Sequence, residues 1–247
     1  MFYYRGFYIM FLPVFIMILL FFYWPMLGCR YAFTSYVLAN PYYIGIFHFQ
    51  TMLRFDTYFW QAFRNTLVLS IVKLILNTGA AVIISLLLNE ITNMAFKKSV
   101  QTIIYLPHFM SWVVVAAVFK MILSVNSSGV VNGTLINMGL INDPIDFLGS
   151  SKYWTGTFFM MNVWKDTGWG TILFLATLSG ISPDLYEAAQ IDGANRFKRL
   201  IYITLPALAN TIITVFILNL AKVMNLFESV FVTQSAGTYD VSQVLQL

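Results

Sequence analysis

The chain has 247 residues, 59% hydrophobic and only 10% charged, with a formal net charge of +4. A soluble domain carries about 25% charged residues, so this composition excludes a water-soluble surface and points to an integral membrane protein. The small positive charge gathers at the ends of apolar runs, which fits membrane topology better than nucleic-acid binding. A single cysteine excludes a disulfide framework and a multi-cysteine metal site.

A bilayer-spanning helix needs about 20 mostly apolar residues. The first stretch that qualifies covers residues 7–28, where Pro13 and Pro25 predict kinks. Just beyond, Met26-Leu27-Gly28-Cys29 faintly resembles a lipoprotein processing site. The long apolar run before it and the spans after it favour a free thiol at the outer end of the span. Residues 31–64 alternate aromatic and polar and are too broken to span. A second span covers 66–88 and a third 100–123, the third placing Tyr105, His108 and Trp112 on one face near Pro107. His108 fits an ordinary packing histidine better than a site residue. Residues 125–153 are rich in Asn, Gly and Ser and read as a loop with a short amphipathic piece.

The fourth span, 154–178, carries Asn162, Lys165, Asp166 and Trp169 at i, i+3, i+4 and i+7, which places them on one helical face. Lys165 falls near mid-bilayer, where a charge costs about 2.5–3.5 kcal/mol on insertion scales. Polar groups at that depth face protein or water. Such a face suits a sugar, whose hydroxyls bond to the polar groups and whose C–H face packs on Trp169 or Trp164. It equally suits an ion pair to a neighbouring helix. The fifth span, 208–232, repeats Asn219, Lys222, Asn225 and Glu228 every third residue. At about 100° per residue this row drifts by about 60° per step. It makes a slanted stripe, fit for a pore crossed at an angle or for snorkelling at an interface. Lys73 and Lys120 take no clear assignment.

Between these two spans lies an elbow. Ser182, Pro183 and Asp184 form a helix start: a hydroxyl cap, a proline in the first turn and an acid at the positive dipole end. Leu185, Ala188, Ala189 and Ile191 make the apolar part of a short helix, with Asp184, Glu187, Gln190 and Asp192 on the polar part. Gly193 is a helix stop. A second short helix carries Arg196, Lys198 and Arg199, and Pro206 opens the next apolar segment.

Glu187-Ala188-Ala189, Gly193, Ile203 and Leu205-Pro206 stand at the spacing of the EAA loop, and in this the chain resembles permease subunits of binding-protein-dependent ABC importers. The run 191–197, Ile-Asp-Gly-Ala-Asn-Arg-Phe, resembles the carbohydrate branch, the relatives of the maltose transporter's membrane subunits. So do Arg64-Asn65-Thr66, Leu87-Leu88-Asn89-Glu90, Tyr105-Leu106-Pro107 and Trp164-Lys165-Asp166, which look like oligosaccharide and polysaccharide permeases. The resemblance covers most of the chain. It implies a single all-α permease domain over 1–247, of the type I ABC importer fold, with at least five spans and a cytoplasmic coupling loop at 182–206. A further helix follows the fifth span in the family. The chain stops at Leu247 without it, so a final helix is expected to be missing. The stretch 36–49 is shorter than the family leads one to expect.

The resemblance also implies how the chain works. The first elbow helix docks in a cleft of an ATPase subunit. Glu187 contributes charge there, Ala188 and Ala189 close approach and Gly193 the turn, with Asp184, Asp192 and Arg196 in the same contact. The partners are a second, related but different permease subunit, two ATPase subunits, an extracellular or periplasmic solute-binding protein and the lipid bilayer, with no nucleic acid. The chain itself binds no cofactor; ATP and Mg sit on the ATPase subunits. Catalytic and metal-binding residues are not expected, and no P-loop, HExxH or GxSxG motif occurs. The path residues are Asn162, Trp164, Lys165, Asp166, Trp169, Asn219, Lys222, Asn225 and Glu228. The solute is an oligosaccharide, and four lysines within or beside spans permit an acidic one.

Orientation follows from basic residues. Arg5, Lys97, Lys98, Arg196, Lys198 and Arg199 fall inside, and Arg30, Arg54, Arg64 and Lys152 outside, if the N-terminus is cytoplasmic in a bacterial inner membrane. Two other readings are weaker: an ABC permease for a peptide or amine, and a membrane enzyme acting on lipid-linked sugar through Asp166 and His108. The topology makes a direct prediction. Mass spectrometry of the mature protein should find the chain uncleaved before Cys29, and a lipidated Cys29 would overturn the first span.

Overall fold

Inside hydrocarbon a backbone N–H or C=O finds no water, so an apolar chain satisfies these groups within helices. The computed structural model describes residues 4–35, 42–126 and 129–247 and is accordingly helical, with one isolated bridge, Thr34–Tyr43, among the described residues. Residues 36–41, part of the stretch expected to be short, lie outside the described ones. The chain divides into two compact units, Met1–Trp60 and Gln61–Leu247.

The first unit is led by α1, Arg5–Phe33, an exposed apolar helix long enough to cross a membrane. It runs α-helically through Pro13 and widens to a π turn at Leu19–Tyr23, just before Pro25. A wider turn accommodates the ring and the missing N–H of a proline. The helix ends as a 3-10 coil, Leu27–Phe33, in which Cys29 is exposed. The Thr34–Tyr43 bridge then reverses the chain into α2, Phe47–Phe55, where His48 Nε2 lies 3.1 Å from Thr34 O.

The second unit begins within α3, Thr57–Asn89, which starts well before the expected residue 66. It continues with α4, Met94–Tyr105, extended by a 3-10 turn at Leu106–Phe109, then α5, Trp112–Ile122, and α6, Val130–Asn137. Next come α7, Ser151–Ser179, α8, Pro183–Ile191, and α9, Arg196–Leu220. Two short helices close the chain: α10, Phe227–Thr233, and α11, Tyr239–Ser242. By length and composition α1, α3 and α9 can cross a membrane. Helix α7 has 29 residues, about 44 Å at 1.5 Å per residue, so it is long enough. Its Lys165, Asp166 and Asn162 leave it more polar than the other three.

Two expected spans are corrected. The third is not one straight helix: α4 with its 3-10 turn and α5 meet at a 106° bend. Pro107 opens the 3-10 turn, Met110 and Ser111 are extended, and the Ser111 hydroxyl accepts from Val114 N to start α5. The fifth span starts at Arg196 and ends at Leu220, not at residue 232. Its apolar stripe is interrupted by Asn219, Lys222 and Asn225, and the chain turns there. The carbonyl of Val223 accepts from the Ser70 hydroxyl, and Gln246 Oε1 accepts from Leu226 N and Phe227 N at 2.8 Å each. Those bonds let backbone reverse direction without leaving donors orphaned. Pro206 falls in the first turn of the α-helical segment Leu205–Leu220. It sits inside α9 after a π turn at Leu200–Thr204, which makes room for its ring.

Buried faces of α3 and α7 recur at helical spacing and are rich in small polar residues. Thr66, Thr157 and Thr171 each donate to the carbonyl four residues back, at 2.7, 3.0 and 2.8 Å, as Thr233 does in α10 at 2.7 Å. These hydroxyls are satisfied within their own helices. Around them, Ala81, Leu88, Phe174, Leu178, Leu208 and Val215 join α3, α7 and α9 at one end. Leu69, Trp154, Phe158, Leu226 and Val230 join α3, α7 and α10 at the other.

Helix α7 touches α4 backbone to backbone at Gly168. A Cβ there would lie 2.2 Å from the carbonyl oxygen of Ile104, which cannot move aside as a side chain could. Gly168→Ala should therefore destabilise the protein by about 2 kcal/mol. Gly156→Ala, in the same helix with nothing within 4 Å, should not. Thermal unfolding of both purified variants checks the pair.

Candidate functional site

The bend after Phe109 leaves a helix end inside the unit, with carbonyls that no next turn satisfies. Lys165 of α7 meets this end. Its Nζ donates to His108 O at 3.1 Å, lies 3.8 Å from Asp166 Oδ1 and stands 5.6 Å from the centre of the Trp112 ring. The side chain is 8% exposed. A cation at the negative end of a helix, with a carboxylate and an aromatic face beside it, recovers part of what burial costs.

Asp166 and His108 lie on the other side of this contact. His108 Nδ1 is 3.4 Å from Asp166 Oδ1, within ion-pair range without hydrogen-bond alignment, and the imidazole stacks on Trp169 at 5.0 Å and 13°. These three residues form one wall of a cavity of about 630 Å³. Lys73, Asn77 and Thr78 of α3 make a second wall. Asn219 at the end of α9, with Lys222, Asn225 and Glu228 beyond it, makes a third. Leu173, Phe174, Val215 and Leu218 supply the apolar part.

The four residues expected on one face of α7 thus divide. Asp166 and Trp169 line the cavity; Asn162 and Lys165 do not. Asn162 is fully buried and donates to Phe158 O at 2.7 Å, and Trp164 packs edge-on against Phe119. Spacing places residues on a face but does not say which side of that face a neighbouring broken helix covers. Asn219, Lys222, Asn225 and Glu228 do reach one cavity, though not as a stripe on one helix, because the helix ends before Lys222. The sequence leaves Lys73 without assignment and does not single out Asn77. A lysine with an amide one turn later, deep in an apolar helix, was the signal.

The elbow folds from its own residues. Ser182 accepts from Asp184 N at 3.3 Å, and its hydroxyl donates to Asp184 Oδ2 at 3.1 Å. Gly193 has φ +75°, the left-handed region where a Cβ is strained. Ala194 N donates to Ala189 O at 2.9 Å and Gly193 N to Gln190 O at 3.1 Å, a Schellman stop for α8. Asn195 caps α9 by accepting from Lys198 N at 2.8 Å. Asp184, Glu187, Ala188, Asp192, Gly193 and Arg196 are exposed, and Ala189 is half-buried. Arg196 lies 4.0 Å from Glu90, an exposed pair.

A helical membrane protein with a polar cavity, and an exposed elbow joining two of the cavity-lining helices, has the build of a transport subunit. Residues 77–238 match the binding-protein-dependent transport system inner membrane component family. The chain belongs to that family, and is a multi-pass membrane permease. It is 36% identical to the polygalacturonan/rhamnogalacturonan transport system permease protein YteP of Bacillus subtilis (strain 168), over 96% of this chain and 74% of that one. It superposes on a chain of a bacterial ABC transporter involved in the import of the acidic polysaccharide alginate, with TM-score 0.87 and 36% identity, covering 98% of this chain and 81% of that one. A crystal structure of a bacterial alginate ABC transporter in complex with alginate pentasaccharide-bound periplasmic protein matches with the same TM-score and identity, over 98% and 80%.

The geometry separates a structural lysine from a cavity-lining tryptophan. Lys165→Met keeps the stem and removes the charge, and should lower stability by on the order of 2 kcal/mol. Trp169→Ala should leave the unfolding temperature close to wild type and reduce solute uptake instead. Thermal unfolding and uptake measured on both variants test the assignment.

Proposed function

We propose that this chain is one of two related but different membrane subunits of an ATP-driven importer that carries oligosaccharides, uronate-containing ones among them, into the cytoplasm. The elbow supports this reading most directly. It is exposed on the outside of the unit, and it joins α7 and α9, which both line the cavity. Motion applied to α8 therefore reaches two cavity walls. Glu187 and Ala188 present a charge and a small side chain for an ATPase cleft, and Asp184, Ala189, Asp192, Gly193 and Arg196 shape the same surface. ATP and Mg are held by two separate ATPase subunits, and a solute-binding protein delivers the solute from outside. The N-terminus is cytoplasmic, which puts the elbow and Lys97, Lys98, Lys198 and Arg199 on the inner face.

The cavity suits the solute class. Asn219 and Asn225 offer amides to hydroxyls, Trp169 offers a ring face to sugar C–H groups, and Lys73 and Lys222 offer cations to carboxylates. The solute path thus runs past Asp166, Trp169, Asn219, Lys222, Asn225 and Glu228, with Asn162, Trp164 and Lys165 supporting it from behind. The likeness to permeases of pectic polymers and of alginate supports an acidic polysaccharide fragment.

Ala188→Trp and Glu187→Lys alter only the exposed face of α8. Both should abolish ATPase co-purification and uptake while the permease still folds, as judged by thermal unfolding. Undiminished ATPase binding by Ala188→Trp would remove the docking assignment.

A further inference from the structure

Among the described residues, Tyr186 makes the one side-chain hydrogen bond from α8 to another helix. Its hydroxyl lies 3.0 Å from Thr204 Oγ1. The Thr204 hydroxyl also donates to Arg199 O at 3.4 Å. A carbonyl can only accept, so the threonine proton points at Arg199 O and the tyrosine is the donor in the pair. Thr204 is 5% exposed and closes the π turn Leu200–Thr204 of α9. Unlike the exposed Arg196–Glu90 pair, which water screens, this bond sits where its geometry is held.

What Thr204 belongs to gives the bond its consequence. Helix α9 is continuous from Arg196 to Leu220. Leu208 and Val215 hold it against Phe174 and Leu178 of α7, and Val215, Leu218 and Asn219 at its far end line the cavity. A displacement of α8 that pulls on Tyr186 thus acts on a single rod whose other end forms a cavity wall. The Schellman turn at Gly193 also joins α8 to α9, through the backbone.

We infer that Tyr186 is a positioning residue for transport: through Thr204 it passes the motion of α8 to α9 and so to the cavity, rather than holding the ATPase. This rests on the reading that an ATPase moves α8. The test uses the complete transporter, with its second permease, ATPase pair and solute-binding protein, in nanodiscs. Spin labels at Ile83 of α3 and Leu220 of α9, both exposed, report the cavity wall before and after ATP, Mg and vanadate. Tyr186→Phe and Thr204→Val should each lower the ratio of the ATP-driven to the resting distance population about fivefold, the effect of one lost hydrogen bond. The double variant should be no worse than Thr204→Val.

Thr204→Ser, which keeps the hydroxyl, should restore the wild-type ratio, and the amount of ATPase that co-purifies should not change. Wild-type behaviour in Tyr186→Phe overturns the inference, as does a Thr204→Ser variant as poor as Thr204→Val. Loss of ATPase from Tyr186→Phe also overturns it, because the residue would then serve docking. A wild-type transporter whose distances ignore ATP fails differently: the importer reading itself falls.

Discussion

A helix that breaks inside a membrane leaves carbonyls with nothing to accept from, and the arrangement of the second unit depends on how that is resolved. Lys165 places its ammonium on His108 O, at the end of the half-helix formed by α4 and its 3-10 turn. Its cost is shared with Asp166 and the face of Trp112. The backbone contact at Gly168, one turn along α7, brings the two helices close enough for the lysine to reach. With the break held, His108 is displaced from the helix line and stacks on Trp169, and Asp166 faces the cavity beside it. Lys165, expected among the path residues, thus meets the broken helix end beside the cavity rather than lining it.

Parts of the structure that depend on neighbours in sequence were readable from the sequence. The elbow is the clearest case. Ser182, Pro183, Gly193 and Asn195 act within four or five residues of themselves, and each takes the cap or turn geometry its chemistry favours. Apolar content likewise revealed α1, α3 and the second half of α9. What hydropathy could not show was direction. The run from residue 100 to 123 carries Pro107 but is apolar enough overall to read as one span, so its composition does not give a bend of 106°. The polar row Asn219, Lys222, Asn225 and Glu228 read as a stripe because the helix was assumed to continue. The side chains that let it stop, Ser70 and Gln246, are far away in sequence. Lys73 shows the same limit: its importance depends on α7 and α9 facing it across a cavity.

Cavity and elbow are two ends of the same elements. Helix α7 runs from Ser151 past the cavity to Ser179, and α9 returns from the elbow to Leu220. Both are packed on α3 through Ala81, Leu88, Phe174 and Leu208. Family membership supplies the setting of an inner-membrane component served by a binding protein. The structure supplies the mechanical content: a short, well-capped helix outside, two long helices leading inward, and mixed polar walls where they end.

The threonines of α3, α7 and α10 carry a last implication. Thr66, Thr157, Thr171 and Thr233 give their protons to carbonyls of their own helices. Thr157 and Thr233 keep those partners when one helix slides past another, whereas Thr66 also accepts from Leu245 N at 3.0 Å and Thr171 also reaches Ala81 O of α3 at 3.5 Å. Resistance to sliding concentrates at the bonds that cross between helices, among them Trp154 to Thr233 O, Lys165 to His108 O and Thr177 to Thr211. In a protein built this way those crossing bonds act as latches, which is where the energy barriers to helix movement should lie.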